Sequence, residues 1–336
     1  ALVRPQITCG THALAIALSA CVRPGEEIFS PVGLPYDTLQ EVIGIRKSPG
    51  SLSEWGVSYS QAELLPDGGF DWDAIRSAIH ENTKLATIQR SRGYASRPTF
   101  SVAQIGELIQ FIKKIKPDII CMVDNCYGEF TETMEPSEAG ADLVVGSLIK
   151  NPGGGLSPVG GYIAGKKELV AKAAYRLTAP GLGKEVGASL GVLPSFYQGF
   201  FLAPEVVANA LKSAVFAAAV FEELGFEVLP KPLDSRSDIV QEIIFRSPEK
   251  LLAFCRAIQA CSPIDASFAP EPWPMPGYGC DVVMAAGTFV SGSSIELSAD
   301  GPMREPYSAY FQGGLTFHHA KAAILRAAQE ILQPNT

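Results

Sequence analysis

The sequence predicts an α/β fold in which a large domain with a mainly parallel sheet is followed by a small α+β domain. Two observations predict the first part. Apolar runs such as DIICMVDN (118–125) and DLVVGSLIK (142–150) lack polar alternation, which is typical of strands buried on both faces. Helical patterns separate these strands, as in βαβ units. A third observation predicts the small domain, because the order changes to strand, strand, helix after residue 225.

The individual elements follow from the spacing of the apolar residues. In the large domain, helices are predicted at 11–22, 36–45, 71–80, 102–115 and 202–225, and strands at 26–32, 84–91, 118–125, 142–150 and 160–165. Gly225 is typical of the position after a helix C-terminus, so the domains are predicted at 1–225 and 226–336. The small domain has predicted strands at 226–230, 238–247 and 287–301, helices at 247–263 and 319–332, and a Pro/Gly-rich loop without regular structure at 269–279.

Composition excludes several classes of partner and site. The net charge of -8 and the pI near 5.2 argue against binding to nucleic acid or to an anionic membrane. Seven cysteines without zinc-site spacing indicate reduced thiols, and four histidines without ligand spacing indicate no metal site. The most apolar stretches, such as 213–221, look too short to span a bilayer, so we expect a cytoplasmic protein. Because the chain begins with Ala1, we expect that a natural N-terminal segment precedes it.

Polar residues follow three buried strands of the predicted sheet. Gln89, Asp124 and Lys150 each fall at a predicted carboxyl end, where ligands bind in parallel sheets. A desolvated lysine amine is a nucleophile toward carbonyls, and a nearby carboxylate can keep a pyridine nitrogen protonated. These are the two groups that pyridoxal 5'-phosphate (PLP) requires of a protein. A plain Lys–Asp ion pair is the alternative interpretation.

The PLP phosphate would need an anion site as well. Gly10, Thr11 and His12 open a predicted helix, whose free N–H groups and dipole attract anions. Ser147 adds a hydroxyl three residues before Lys150. Thr11 could instead be only a helix N-cap, and Ser147 only a strand serine.

Ring and substrate contacts complete the predicted site. Tyr36, which opens a helix, is the first candidate to stack on the pyridine ring, and Tyr127 is the second. An amino-acid carboxylate is best held by an arginine fork, for which Arg304 and Arg92 are the candidates, with Arg90 beside the latter. Each of these arginines could also form an ordinary ion pair.

Several long motifs, spread over nearly the whole chain, resemble the methionine gamma-lyase-like family, often labelled aluminium resistance proteins. The motifs are TCGTHALAIAL, GLPYDTLQEVIGI, IQRSRGYASRP, VDNCYGEF, GSLIKNPGGG, YRLTAPGLGKEVGASLG and IELSADGPMREPYSAYFQGGLT. The resemblance implies a PLP-dependent enzyme of the aspartate aminotransferase fold (fold type I), near the cystathionine lyases. It also implies that Lys150 is the Schiff-base lysine and Asp124 the partner of the pyridine nitrogen.

The same resemblance assigns the remaining positions and the reaction. Gly10 and Thr11 match the phosphate loop, Ser147 matches a phosphate ligand, and Tyr36 matches the stacking ring of the cystathionine lyases. The implied function is a carbon–sulfur lyase acting on a sulfur amino acid, as a homodimer or homotetramer. An aminotransferase or aldolase, or a non-catalytic PLP-binding stress-response protein, is the alternative.

Overall fold

The computed structural model describes residues 1–95 and 97–332, which form two compact units. The first unit comprises Ala1–Cys126, Glu132–Leu148 and Val159–Gly191. The second comprises Tyr127–Thr131, Ile149–Pro158 and the residues from Val192 onward. Two short segments that lie between stretches of the first unit in sequence therefore belong to the second.

A seven-stranded mixed sheet forms the centre of the first unit. Its strands are β1 (Leu2–Arg4), β2 (Glu27–Ser30), β3 (Ser58–Gln61), β4 (Thr83–Gln89), β5 (Ile120–Asp124), β6 (Leu143–Ser147) and β7 (Gly161–Gly165). The strand order is β1-β7-β6-β5-β4-β2-β3. Strands β2 to β6 pair in parallel, whereas β7 and β1 are antiparallel to their neighbours. The predicted mainly parallel sheet is thus confirmed.

Five helices cover the two faces of this sheet. They are α1 (Gly10–Cys21), α2 (Asp37–Ile43), α3 (Trp72–Ala78), α4 (Val102–Ile115) and α5 (Lys167–Leu177). Successive strand residues point to opposite faces, so Met122 packs in the core with α1, α2 and α5 while Val123 packs in the core with α3 and α4. Both faces are therefore apolar, which explains the unbroken apolar runs in the sequence.

The second unit contains a six-stranded antiparallel sheet with three helices. Its elements are α6 (Leu193–Glu223), β8 (Glu227–Leu229), β9 (Gln241–Ile244), α7 (Pro248–Gln259), β10 (Trp273–Pro274), β11 (Asp281–Ala285), β12 (Ser298–Pro302), β13 (Ser308–Gln312) and α8 (Phe317–Leu332). The strand order is β10-β11-β12-β13-β9-β8. Ile243, Ala299 and Phe311 pack in one core with residues of α7 and α8. This arrangement confirms the predicted α+β character.

Two predictions for the second unit are wrong in detail. The loop predicted at 269–279 contains the short strand β10. Its residues Trp273 and Pro274 pair with Val282 and Asp281 of β11. The strand predicted at 287–301 is wrong over most of its length, because only its last four residues lie in a strand, β12, and residues 287–297 form an irregular segment. In that segment, buried Glu296 accepts hydrogen bonds from the N–H groups of Phe289 (2.8 Å) and Val290 (3.0 Å), so the backbone there folds around a carboxylate.

Helix α6 starts earlier than predicted and is 31 residues long. In the described part of the chain it is the one helix long and apolar enough to cross a membrane, which corrects the prediction that the apolar stretches are too short. Length and composition are weak indications, since a core helix of a soluble protein shares them. Val207 and Phe221 of α6 lie in two separate apolar cores of the second unit. The cytoplasmic location stays a prediction.

The grouping of α6 with the second unit also bears on the domain boundary. The predicted boundary after residue 225 lies inside this unit, because the buried face of α6 packs with the antiparallel sheet and with residues after 225. That a cofactor-binding domain ends at residue 225 and a small domain begins at residue 226 stays a prediction.

Candidate active site

The carboxyl ends of the parallel strands bring predicted site residues of the first unit together. Gln89 and Asp124 end β4 and β5 and are direct neighbours in the ladder between those strands. Asp124 is buried, and its Oδ1 accepts a hydrogen bond from the backbone N–H of Cys126 (3.1 Å). Ser147 ends β6, the next strand in the sheet. Three polar side chains therefore stand at adjacent strand ends, as parallel pairing requires.

Helix α1 begins against the end of β6. Its first residue is Gly10, where an added Cβ would lie 3.2 Å from Cys126 Sγ and 3.5 Å from Ser147 Cβ. The N-cap residue, Cys9, makes no side-chain hydrogen bond to the helix. The first N–H groups of a helix have no partner within it, and the helix dipole places partial positive charge there. A side chain at position 10 would fill the space next to this end of the helix.

Ser147 has a hydroxyl suited to a ligand. The side chain is completely buried, and its Oγ has no hydrogen-bond partner among the described residues. A buried hydroxyl without a partner is costly unless a ligand or water satisfies it. A phosphate accepts hydrogen bonds from both a hydroxyl and helix N-terminal N–H groups. Ser147, Gly10 and the start of α1 therefore fit the phosphate of PLP.

Tyr36 is fixed at both its backbone and its hydroxyl. The N–H of Tyr36 donates to Gln89 Oε1 (2.9 Å), and the Tyr36 hydroxyl lies 2.8 Å from Thr11 Oγ1. Gln89 Nε2 in turn donates to the carbonyl of Ser91 (2.9 Å). The phenol ring is therefore tied to the first turn of α1 and to the end of β4. Sequence reasoning missed this role of Gln89, because Gln89 and Tyr36 are 53 residues apart.

His12, in the first turn of α1, contacts Thr8, which precedes the helix. Its Nδ1 accepts a hydrogen bond from the N–H of Thr8 (3.2 Å) and lies 3.2 Å from Thr8 Oγ1. The ring thus closes the turn that leads into the helix. A contact between His12 and the cofactor stays a prediction, as does one between Gln89 and the cofactor.

The three candidate arginines have different surroundings. Arg90 is fully buried and donates to Asn125 Oδ1 (2.7 Å) and to Glu132 Oε1 (2.6 Å), which gives it a structural role at the end of β4. Arg92 is also buried, in the loop that follows this strand. Arg304 belongs to the second unit and is exposed in the turn between β12 and β13. Substrate binding by Arg92 or Arg304 stays a prediction.

Lys150 lies beyond the strand on which it was predicted. Strand β6 ends at Ser147, and Lys150 is the residue before a 3₁₀ turn at Asn151–Gly153 in the second unit. Its Nζ lies 3.9 Å from the centre of the Tyr127 ring. The predicted strand is too long because the apolar residues 148–149 continue the pattern after the ladder with β7 has ended.

The glycines after Lys150 allow two backbones to meet. Gly154 has φ +53°, and a Cβ there would lie 2.4 Å from the carbonyl oxygen of Gly199 in α6. A Cβ on Gly199 would lie 2.1 Å from the carbonyl oxygen of Gly153. Only glycine fits this close approach.

Comparison with known proteins identifies the family. A family model described as methionine gamma-lyase matches residues 1–332. The chain belongs to the methionine gamma-lyase family. This membership confirms the resemblance found in the sequence motifs.

Similar relatives cover nearly the whole chain. The uncharacterized protein YnbB of Bacillus subtilis is 53% identical over 334 residues, which are 99% of this chain and 79% of that protein. A structure of a carbon–sulfur lyase involved in aluminium resistance from Clostridium novyi has a TM-score of 0.94 at 50% identity and covers 98% of this chain and 78% of that chain. A Listeria monocytogenes structure with a TM-score of 0.96 and 53% identity, covering 98% and 82% of the two chains, carries the provisional name cystathionine beta-lyase involved in aluminium resistance.

A more distant structure shows how widely the fold is shared. The pyridoxal-5'-phosphate dependent protein YhfS of Escherichia coli superimposes with a TM-score of 0.63 at 14% identity, covering 99% of this chain and 80% of that chain. At this identity the likeness concerns the fold alone. With the family match, it confirms the predicted fold type I architecture.

Proposed function

We propose that this protein is a PLP-dependent carbon–sulfur lyase that acts on a sulfur amino acid. The observation that carries the proposal is the buried Ser147 hydroxyl, which has no partner among the described residues and lies beside the start of α1. Membership of the methionine gamma-lyase family and the name of the Clostridium novyi relative support the type of reaction.

The residues of the first unit would hold the cofactor. Gly10, Thr11 and Ser147 would bind its phosphate through backbone N–H groups and hydroxyls. Asp124 would pair with the pyridine nitrogen, since a buried carboxylate favours a protonated partner. Tyr36 would stack on the pyridine ring. The hydrogen bonds of its N–H and its hydroxyl fix the position of the phenol ring.

Three further roles in the proposed reaction fall to side chains: to accept the proton from Cα, to protonate the pyridine nitrogen and to bind the substrate carboxylate. When bound, PLP withdraws electrons from the bonds around Cα of an attached amino acid. Lys150 would hold the cofactor through its amine, and the same amine, when neutral, would be the base for the proton at Cα. Asp124 would hold a proton on the pyridine nitrogen. Arg92, which is buried in the loop after β4, is the candidate of the first unit for the substrate carboxylate.

An exposed apolar face supports the proposed homo-oligomer. In α6, Tyr197, Phe200 and Phe201 are exposed by 75%, 58% and 81%. Aromatic residues are enriched at protein interfaces, and large exposed patches of them mark association sites. We therefore propose that a second copy of the chain covers this part of α6.

The function is tested by a panel of sulfur amino acids with cystathionine, methionine, homocysteine and cysteine. We expect release of a thiol, or of hydrogen sulfide from homocysteine and cysteine, together with ammonia and a 2-oxo acid, and Lys150→Ala should lower this turnover by at least about a thousandfold. Transfer of the amino group to an added 2-oxo acid without loss of sulfur would contradict the lyase. Spectral changes with every amino acid and no product would contradict catalysis.

A further inference from the structure

The segment after β5 contains two residues in an unusual backbone conformation. Tyr127 has φ 72° and Phe130 has φ 62°, which is the left-handed region that residues other than glycine rarely adopt. Such conformations persist where the surrounding structure holds them, and they concentrate at functional sites. Both residues belong to the second unit, as does Lys150.

Asn151 holds this segment in place. Its side chain is fully buried, and Nδ2 donates to the carbonyl oxygens of Tyr127 (3.1 Å) and Glu129 (3.0 Å). Thr131 Oγ1 adds a bond to the carbonyl of Gly128 (2.7 Å). Asn151 is the residue directly after Lys150, so one short stretch both carries the lysine and fixes the backbone of Tyr127.

The result of this arrangement is a defined contact between a ring and an amine. Lys150 Nζ lies 3.9 Å from the centre of the Tyr127 ring, within the range in which an ammonium is attracted to an aromatic face. The strained backbone at Tyr127 is therefore used to place a ring under this particular amine.

We propose that Tyr127 is a positioning residue whose ring holds the Lys150 side chain whenever its amine is not bonded to a cofactor. This role rests on the proposed function of Lys150, and it differs from the predicted second choice of Tyr127 as a ring that stacks on pyridine. The attraction stabilises the ammonium form and covers one side of the amine. Loss of the ring uncovers this side of the amine and makes the amine more reactive toward small reagents.

The test uses cofactor-free protein and competitive labelling of lysines with a trace of acetic anhydride. Labelling of Lys150, measured by mass spectrometry of its peptide, is normalised to exposed Lys47. We expect Tyr127→Leu to raise the labelling rate of Lys150 roughly three- to tenfold, and Tyr127→Phe, which keeps the ring, to match the native protein. An unchanged rate in a folded Tyr127→Leu protein would overturn the proposal.

A second measurement needs no change at Tyr127. Mild reductive methylation of the cofactor-free protein with ¹³C-formaldehyde labels its lysines for NMR. We expect one dimethyl-lysine signal to be displaced upfield by the Tyr127 ring current and to be missing in Lys150→Arg. A Lys150 signal among those of the exposed lysines would contradict the contact. Neither readout depends on lyase activity, so failure of the proposed reaction and failure of this contact are told apart.

Discussion

The two ends of the central strands in the first unit are built in opposite ways. Just before β6, the buried Asp142 carboxylate is fully engaged: Lys166 Nζ lies 2.7 Å from Oδ1, and Lys113 Nζ (2.6 Å) and the N–H of Cys121 (2.8 Å) both donate to Oδ2. At the other end of the same strand, the hydroxyl of Ser147 has no partner among the described residues. The carboxylate at one end is thus satisfied by three donors, whereas the hydroxyl at the end where ligands bind in parallel sheets has none of its hydrogen bonds made within the described residues.

The charge state of Asp142 agrees with this structural role. Burial alone would raise the pKa of Asp142, but hydrogen bonds from Lys113 and Lys166 outweigh it, so the pKa lies below its ordinary value of 3.8. The carboxylate is therefore ionised at neutral pH, and it holds α4 and the start of α5 to the sheet.

The largest difference between the two ends is expected when the acid at each end is exchanged for its amide. At the carboxyl end, Asp124→Asn keeps the acceptor for the N–H of Cys126, so we expect native stability and bound cofactor. Turnover should fall by roughly a thousandfold or more, because a neutral amide does not hold a proton on the pyridine nitrogen. Steady-state kinetics and the cofactor spectrum check this, and a near-native rate would remove Asp124 from the site.

At the amino end, Asp142→Asn should have the reverse effect. Two lysines lose their carboxylate, and since both reach water we expect a loss of about 2–3 kcal/mol in the free energy of unfolding, with turnover per folded molecule unchanged. Urea denaturation measures it, with exposed Asp118→Asn as the control. An unfolding free energy equal to that of the native protein would show that the contacts of Asp142 with Lys113 and Lys166 do not stabilise the sheet.

The same variant gives a pH dependence. Because the folded pKa of Asp142 is lowered, its stabilisation is fully present above the unfolded pKa of 3.8 and is lost as the pH falls toward the folded pKa. The difference in unfolding free energy between native protein and Asp142→Asn should be constant from about pH 7 to about pH 5 and shrink below pH 3.8. A difference that grows in acid would contradict this assignment.

A smaller effect is expected from removing a single serine hydroxyl at a strand end. Ser30 and Ser147 both end parallel strands, but Ser30 Oγ donates to the carbonyl of Gly33 (2.6 Å). We expect Ser30→Ala to cost about 1 kcal/mol of stability and Ser147→Ala almost none in cofactor-free protein. Ser147→Ala should instead weaken PLP binding roughly tenfold, measured by equilibrium titration. Equal stability losses in both variants would show that Ser147 is an ordinary structural serine.

The strand-end grouping of Gln89, Asp124 and Ser147 could be predicted from sequence, because unbroken apolar runs mark buried parallel strands and parallel strands align their ends. The sequence does not predict β1, because LVR is too short to give that signal, or β3, because SYSQ is short and polar. Helix α5 was missed because its buried face consists of only Leu169, Ala173 and Ala174.

The details of the site could not be predicted because they depend on contacts between distant parts of the chain. The hydrogen bond between Gln89 and Tyr36 and the bond between Asn151 and Tyr127 leave no local pattern. Lys150 was placed on a strand because the apolar run continues past the last ladder pair at Ser147. Hydropathy reports burial, and burial does not show where a ladder ends.

We propose that the carboxyl ends of the parallel strands bind PLP and that Lys150 forms the covalent bond to it. The most direct test adds PLP to the purified protein, records the visible spectrum before and after borohydride, and maps the reduced protein by mass spectrometry. We expect a yellow absorbance band that borohydride removes, and a pyridoxyl group on the peptide that contains Lys150. A protein that stays colourless with PLP, or carries the pyridoxyl group on other lysines only, would contradict the claim.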